Sequence, residues 1–447
     1  MTTNYSASAK QRELSLGTRD EIGGGKRGAA SPVVDEQLME EVVARENLQA
    51  ALRQVRRNGG RAGVDGMTVE ELPAYLKAHW PQIREQLLTG QYEPQPIKGV
   101  EIPKPEGGGR KLGIPTVLDR FLQQAVLPVL QPQWDPTFSE HSYGFRPGRS
   151  ALQAVAQAQQ YVRAGYRWGV DIDLEKFFDR VNHDKLMSEV EKRIKDKRVS
   201  ALIRRYLKAG VLAEGLVEAR DEGTPQGGPL SPLLSNLLLD QLDRELERRG
   251  HRFVRYADDA NLYVKSERAG KRVMARVSRF LTRKLRLTVN GQKSAVARPW
   301  ERKFLGFTFT AGGKPKRRIA PQALTRFKAR VREHTNRTRG ISLERMTREL
   351  RPYLVGWRNY FGFCEVRSIL KELDSWIRRR LRCMLWKQWG RRRYRELRAR
   401  GVSRDLAWNT AKSAHGPWRL SRSPALSFAL PAAYFASVGL PRLAEMS

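Results

Sequence analysis

Cysteine, histidine and acidic side chains are all scarce in this chain. Its 447 residues hold 2 cysteines, 6 histidines and 47 Asp+Glu against 83 Lys+Arg. Cys364 and Cys383 cannot build a zinc site alone, and so low a count points to a reduced, cytoplasmic setting. After Arg400 there is no cysteine and only His415, which excludes a paired Cys/His metal module there. Long apolar runs are missing too, since none reaches the ~18 residues of a membrane span. The nearest, Ala425 to Leu440, is interrupted by Pro431 and carries Ser427 and Ser437, so it reads as a buried C-terminal element. No secretory leader pattern opens the chain, and no membrane partner is expected. Met1 to Gly28 is polar and Gly/Ser-rich and reads as a disordered tail.

The acid deficit leaves a net charge of +36, which points to a polyanionic partner. In such a chain, clustered carboxylates stand out. Phe253-Val254-Arg255-Tyr256 and Leu262-Tyr263-Val264 read as two strands meeting at Ala257-Asp258-Asp259, a hairpin that lifts two adjacent carboxylates above a sheet. Adjacent carboxylates repel and raise each other's pKa unless a cation neutralises them. A plain solvated tip and a cation site are both open on these residues alone. A second run, Trp168-Gly169-Val170-Asp171-Ile172-Asp173-Leu174, puts acidic residues inside an apolar β pattern. If that strand lies beside the hairpin, Asp173 joins Asp258 and Asp259. Hard oxygen donors with open positions suit Mg2+. Two such ions, roughly 3.5–4 Å apart, are the apparatus of in-line phosphoryl transfer.

Further motifs follow in a fixed order. Ile102-Pro103-Lys104-Pro105 and Arg110 to Pro115 come first, then Ser142-Tyr143-Gly144-Phe145-Arg146-Pro147 and Asp173 to Phe178. Pro225-Gln226-Gly227-Gly228-Pro229-Leu230-Ser231-Pro232 precedes Tyr256-Ala257-Asp258-Asp259, then Asn290 with Lys293, then Phe304-Leu305-Gly306-Phe307. In this order the chain resembles the reverse transcriptases with maturase function encoded by bacterial group II introns. The resemblance runs from about Val34 to the C-terminus. It implies an α+β right-hand polymerase: fingers and palm, whose antiparallel sheet carries the hairpin, followed by an α-helical thumb. Some relatives end in a nuclease domain with paired cysteines and histidines. The composition after Arg400 implies the type without that endonuclease.

The resemblance also implies roles. Asp173, Asp258 and Asp259 would hold two Mg2+ ions, with Mn2+ as a substitute. Lys104 and Arg110, flanking the Gly107-Gly108-Gly109 tip, would contact the triphosphate of a dNTP, and Gln226 the template–nucleotide pair. Phe178 would exclude a ribonucleotide 2′-OH, leaving Phe177 to the core; if the strand runs on, only one of the two faces the site. Lys293 would be a general acid near the pyrophosphate, against the alternative of a surface lysine. The partners implied are group II intron RNA, an RNA template with a DNA primer, and target DNA.

The expected division is a tail (1–33), a helical N-terminal extension (34–91), fingers and palm (92–315), a helical thumb or maturase domain (316–400) and a DNA-binding-like segment (401–447). Periodicity predicts one amphipathic helix over Val34–Arg57 and another over about Val69–Thr89. The extension either clamps template and intron RNA or supports the fingers. Three apolar stripes follow Phe307: Leu324, Phe327 and Val331; Leu343 through Phe361; and Leu370 through Met384. Between Trp376 and Arg400 only Glu396 is acidic, and Gly390 marks a break. Arg378, Arg379, Arg380, Arg391, Arg392 and Arg393 are the expected RNA contacts, by shape and phosphate. Trp386, Trp389 and Tyr394 either stack on bases or pack the core. The rival readings are an RNA-binding splicing cofactor without polymerase activity and another class of bacterial reverse transcriptase.

Overall fold

Side chains alternate across the central strands, and this alternation makes one sheet the partition between two hydrophobic cores. The computed structural model describes residues 36–103, 109–213, 216–218, 222–223 and 227–445. The expected tail 1–33 lies outside the described residues.

Strands β1 (Ile97–Pro103) and β2 (Gly109–Ile114) form an antiparallel hairpin. After an intervening helical region, β3 (Trp168–Ile172) starts a second sheet. The chain then returns through β4 (Val211–Ala213) and β5 (Leu216–Glu218), β4 pairing in parallel with β1. The first sheet therefore runs β2-β1-β4-β5. Strands β6 (Arg252–Tyr256), β7 (Asp259–Val264) and β8 (Ala295–Ala297) complete the second, wholly antiparallel sheet in the order β6-β7-β3-β8. A two-stranded piece pairs β9 (Phe307–Phe309) with β10 (Arg317–Ile319). The architecture is α+β, as expected.

Phe253 and Leu262 point into the first core, while their neighbours Val254 and Tyr263 point into the second. That two-residue period lets a single sheet bury both faces. The first core gathers the N-terminal helices with Val117–Trp134, Lys197–Lys208 and Ser231–Arg248. The second joins Ala151–Arg163 to the C-terminal helices.

The helix expected over Val34–Arg57 is interrupted among the described residues, giving Leu38–Val42 and Arg45–Asn58. Ala44 is extended between them. The Asn47 amide donates to the Val42 carbonyl (2.9 Å) and the Ala125 carbonyl (2.8 Å), so a tertiary contact satisfies the exposed helix end. The three later stripes each form one helix: Pro321–His334, Leu343–Phe361 and Arg367–Trp389. Gly390, with φ +50°, ends the last of these. The Ala425–Leu440 stretch folds as two short helices around Pro431, with Leu426, Leu430 and Phe435 in the second core. Asp374 accepts from the amides of Leu443 (2.9 Å) and Ala444 (3.0 Å), fastening the tail to helix Arg367–Trp389.

Candidate active site

The two-residue turn Ala257-Asp258 joins β6 to β7, closed by the pair Tyr256–Asp259. Ala257 has φ +57°, a left-handed conformation that costs an alanine energy and persists only when its surroundings enforce it. Two contacts do so. Arg255 Nη1 donates to the Ala257 carbonyl at 2.9 Å. From the other side Gly144 presses on the turn; a Cβ there would stand 2.2 Å from the Ala257 nitrogen, so only glycine fits. The Gly144 carbonyl in turn accepts from Asn236 (2.8 Å). The Ser142–Pro147 motif is thus a clamp on the acidic turn, itself held by the buried Arg146 reaching Asp135 and the Ser139 and Ser142 carbonyls.

Strand β3 pairs with β7 so that Ile172 lies opposite Ala260, and Asp173, the next residue, is close enough to act on the Asp259 carboxyl. The main chain of Asp173 is tied to the loop that carries Lys293. Its amide donates to Ser294 Oγ (3.0 Å), and its carbonyl accepts from the Asn290 amide (2.8 Å). Asp171, Asp173, Asp259 and Lys293 line one cavity of about 570 Å³, which Gln322 and Arg326 reach from helix Pro321–His334. Asp258 occupies the turn above, near enough to act on Asp259.

The Asp259 carboxyl is pushed up to about 6, first by desolvation, then by Asp258, Asp173 and Asp171, with Lys303 opposing. Protein crowds round its carboxylate although the residue keeps solvent-accessible surface at the cavity mouth. A carboxyl raised by burial and further by three neighbouring carboxylates, against only a partial offset from Lys303, marks a local excess of negative charge. Among the described residues, no three acidic, histidine or cysteine side chains close on one metal-sized point. The donor set is nevertheless all hard oxygen and open on the cavity side, which fits small divalent cations that retain water and substrate oxygens in their shell.

One consequence concerns pH. A folded-state pKa above the ordinary carboxyl value means that the native state holds its proton more tightly than the unfolded state. Stability is then fully present below about pH 4 and falls as pH rises through about 6. Asp259→Asn is therefore expected to melt higher than the parent at pH 8 in chelator, with the gap closing towards pH 4. Thermal melts across that range check it, and a gap independent of pH contradicts it.

Asp171 is the acidic neighbour that motif matching alone passes over. Its position two residues before Asp173 puts it on the same strand face, and that period is the signal that finds it. It accepts from Arg302 Nε at 2.6 Å, while Arg302 Nη2 donates to the Lys293 carbonyl at 2.6 Å. Arg255 was also missed as a functional residue, although a basic side chain inside an apolar strand is itself a signal.

The other expected residues are distributed as follows. β3 ends at Ile172, and Phe177–Asp179 is a 3-10 turn, so strand alternation does not decide between the two phenylalanines. Phe177 is buried in the first core; Phe178 is half-buried with its ring edge-on to Phe177 at 5.2 Å. Arg110 lies on β2 opposite Ile102. Lys104 and Gln226 are outside the described residues. Gly227, next to Gln226, touches β2 so closely that a Cβ would stand 2.5 Å from the Gly113 carbonyl.

Of the six arginines, Arg391 and Arg392 are exposed and make no ion pair or hydrogen bond among the described residues. The others serve the fold more directly. Arg379 donates to the Trp418 carbonyl, Arg380 to Thr335, and Arg393 to the Trp386 carbonyl. Arg378 is half-buried beside Asp374. Trp386 and Trp389 are 0% and 6% exposed, which assigns them to the core rather than to bases; Tyr394 packs at its edge.

Residues 102–309 match the family model described as reverse transcriptase (RNA-dependent DNA polymerase). Residues 324–401 match that of the group II intron, maturase-specific domain. The chain is 38% identical over 191 residues to Protein YkfC of Escherichia coli (strain K12), covering 42% of this chain and 50% of that protein. It is 32% identical over 184 residues to Group II intron-encoded protein LtrA of Lactococcus lactis subsp. cremoris, covering 41% and 31%. The chain therefore spans half or less of the length of these relatives. A chain of the solved partial Cas6-RT-Cas1--Cas2 complex aligns at 25% identity over 55% of this chain and 43% of that chain, with a TM-score of 0.37.

Proposed function

From a chain that belongs to the reverse transcriptases bearing a group II intron maturase-specific domain, we propose an enzyme that copies RNA into DNA and grips its own intron RNA to assist splicing. In this reading it also supports intron mobility, priming on target DNA. The observation that carries the polymerase reading is the cavity shared by Asp173, Asp259 and Lys293, beneath the clamped turn bearing Asp258.

Asp173, Asp258 and Asp259 are the residues to hold two Mg2+ ions, with Mn2+ as substitute. Those ions supply activation of a primer 3′-OH and neutralisation of charge on the dNTP triphosphate. Lys293, exposed on the cavity wall, delivers a proton to the departing pyrophosphate. Arg302, bridging Asp171 and the Lys293 carbonyl, ties the main chain of that lysine to the carboxylate-bearing strand. Arg110 and Lys104 contact the triphosphate, and Gln226 the template–nucleotide pair. Primer extension on an RNA template tests the reading. Splicing assistance without any dNTP incorporation would overturn it in favour of a splicing cofactor.

The Phe178 ring is the steric gate against the 2′-OH. Phe178→Val is expected to raise ribonucleotide incorporation by about tenfold or more, the scale of a single-group steric discrimination. Competition between dNTP and NTP in single-nucleotide extension measures it. Unchanged selectivity removes Phe178 from the role.

For RNA, the exposed pair gives the cleaner test, because Arg393 is tied to Trp386. Replacing Arg391 and Arg392 together with Gln is expected to flatten the salt slope of intron-RNA binding by about two, one per phosphate contact. Assisted splicing falls, while extension of a short primer on a simple template is largely retained. Equal loss of both activities points instead to a general template grip.

A further inference from the structure

A second cavity, of about 310 Å³, lies between the end of helix Pro321–His334, the middle of helix Arg367–Trp389 and the short helix Pro417–Leu420. Thr335, Asn336, Arg337, Arg380, Cys383 and Trp418 line it. Two properties make it a built site. Its charge is of one sign: Arg332, Arg337, Arg379, Arg380 and Arg422 have no ion pair among the described residues. Arg332 and Arg337 both act on Arg380, and Arg422 acts on Arg379. Like charges gathered without a carboxylate are costly and favour an anion between them.

Its aromatic groups are also held in place. Trp418 is 39% exposed, yet Arg379 stacks on its ring at 3.7 Å and donates to its carbonyl at 3.0 Å. Ser421 Oγ donates to the same carbonyl at 2.6 Å. One helical turn before Arg380, the Trp376 ring lies beneath both Arg332 and Arg380, at 5.6 and 5.5 Å. A rigid, half-open indole beside guanidinium groups that have no carboxylate partner among the described residues is the arrangement that stacks a base while its phosphate is neutralised.

We propose that this cavity takes one unpaired nucleotide of an RNA strand, its base stacked on Trp418 and its phosphate held by Arg337. The proposal rests on the reading that the helical C-terminal half grips RNA, and adds to it a single-stranded contact reached by the tail. Arg380 is a positioning residue here, since its Nε is committed to Thr335 Oγ1 at 2.6 Å.

The full-length protein, irradiated with a single-stranded oligoribonucleotide carrying 5-iodouridine, is expected to give a crosslink mapped to Trp418 by peptide mass spectrometry. Trp418→Ala abolishes that crosslink, while Trp418→Phe keeps the fold and a stacking ring and retains a crosslink at the same position. Arg337→Gln lowers its yield and flattens the salt slope of binding by about one. Crosslinks confined to other basic surfaces, or a Trp418 crosslink indifferent to Arg337→Gln, overturn the proposal while leaving the wider RNA-grip reading standing. Absence of any salt-dependent RNA binding by the unaltered protein overturns both.

Discussion

Asp173→Ala and Asp258→Ala are each expected to reduce primer extension at least ~10²–10³-fold, the loss that follows removal of one preorganised electrostatic partner. RNA binding by the same variants should stay within about twofold. The separation follows from where the two properties reside. The carboxylates sit at one clamped turn and one strand end, whereas affinity for a polyanion is summed over a chain of net charge +36. Removing an acidic group from such a surface cannot weaken phosphate attraction. The Asp258 variant has a further signature, because Asp258 is one of the groups that raise Asp259. In Asp258→Ala the Asp259 titration should move back towards the ordinary carboxyl range, visible by NMR of labelled aspartate. Polymerisation by a variant lacking both Asp258 and Asp259 would sink the assignment of these residues to metal.

Arg255→Met is expected to cost about 3–5 kcal/mol of stability, the usual consequence of leaving one member of a buried ion pair alone. Arg255 and Asp243 are 1% and 0% exposed. The guanidinium donates to both Asp243 oxygens (2.6–3.0 Å), to Asn236 Oδ1 (3.0 Å), to Ser142 Oγ (2.8 Å) and to the Ala257 carbonyl (2.9 Å). Burial pushes the Asp243 carboxyl up and Arg255 pulls it down, so loss of the arginine leaves desolvation unopposed by its main partner. The double variant Arg255→Met/Asp243→Leu removes both charges and should recover much of that stability. It should nevertheless remain a poor polymerase, because the hold on the Ala257 carbonyl is gone. Urea unfolding and primer extension on the same preparations separate the two effects. A single variant as stable as the parent would show that the pair carries no net weight. A double variant with full activity would show that the clamp does not position the turn.

The sequence by itself determined whatever depends on near neighbours. The two-residue alternation through Phe253, Val254, Leu262 and Tyr263 is enough to place a hairpin with Asp258 and Asp259 at its turn. The stripes from Leu324 to Met384 are enough to place three helices, and Gly390 to end the last. These features follow from local backbone preference and from the period at which side chains return to one face. Tertiary structure alone decided the long-range pairings. Asn47 reaches Ala125, interrupting a helix that periodicity runs through; Arg255 finds Asp243 on another element; Gly144 comes against Ala257. The same holds for Trp386 and Trp389, whose spacing suits either a base or a core. Arg379, Arg380 and Arg393 read as free charge in the chain, yet are committed to carbonyls and a hydroxyl in the fold. The partner of a buried polar group is set by which segments collapse together, because desolvation makes an unpaired one too costly to keep. No local pattern records which distant residue will satisfy it.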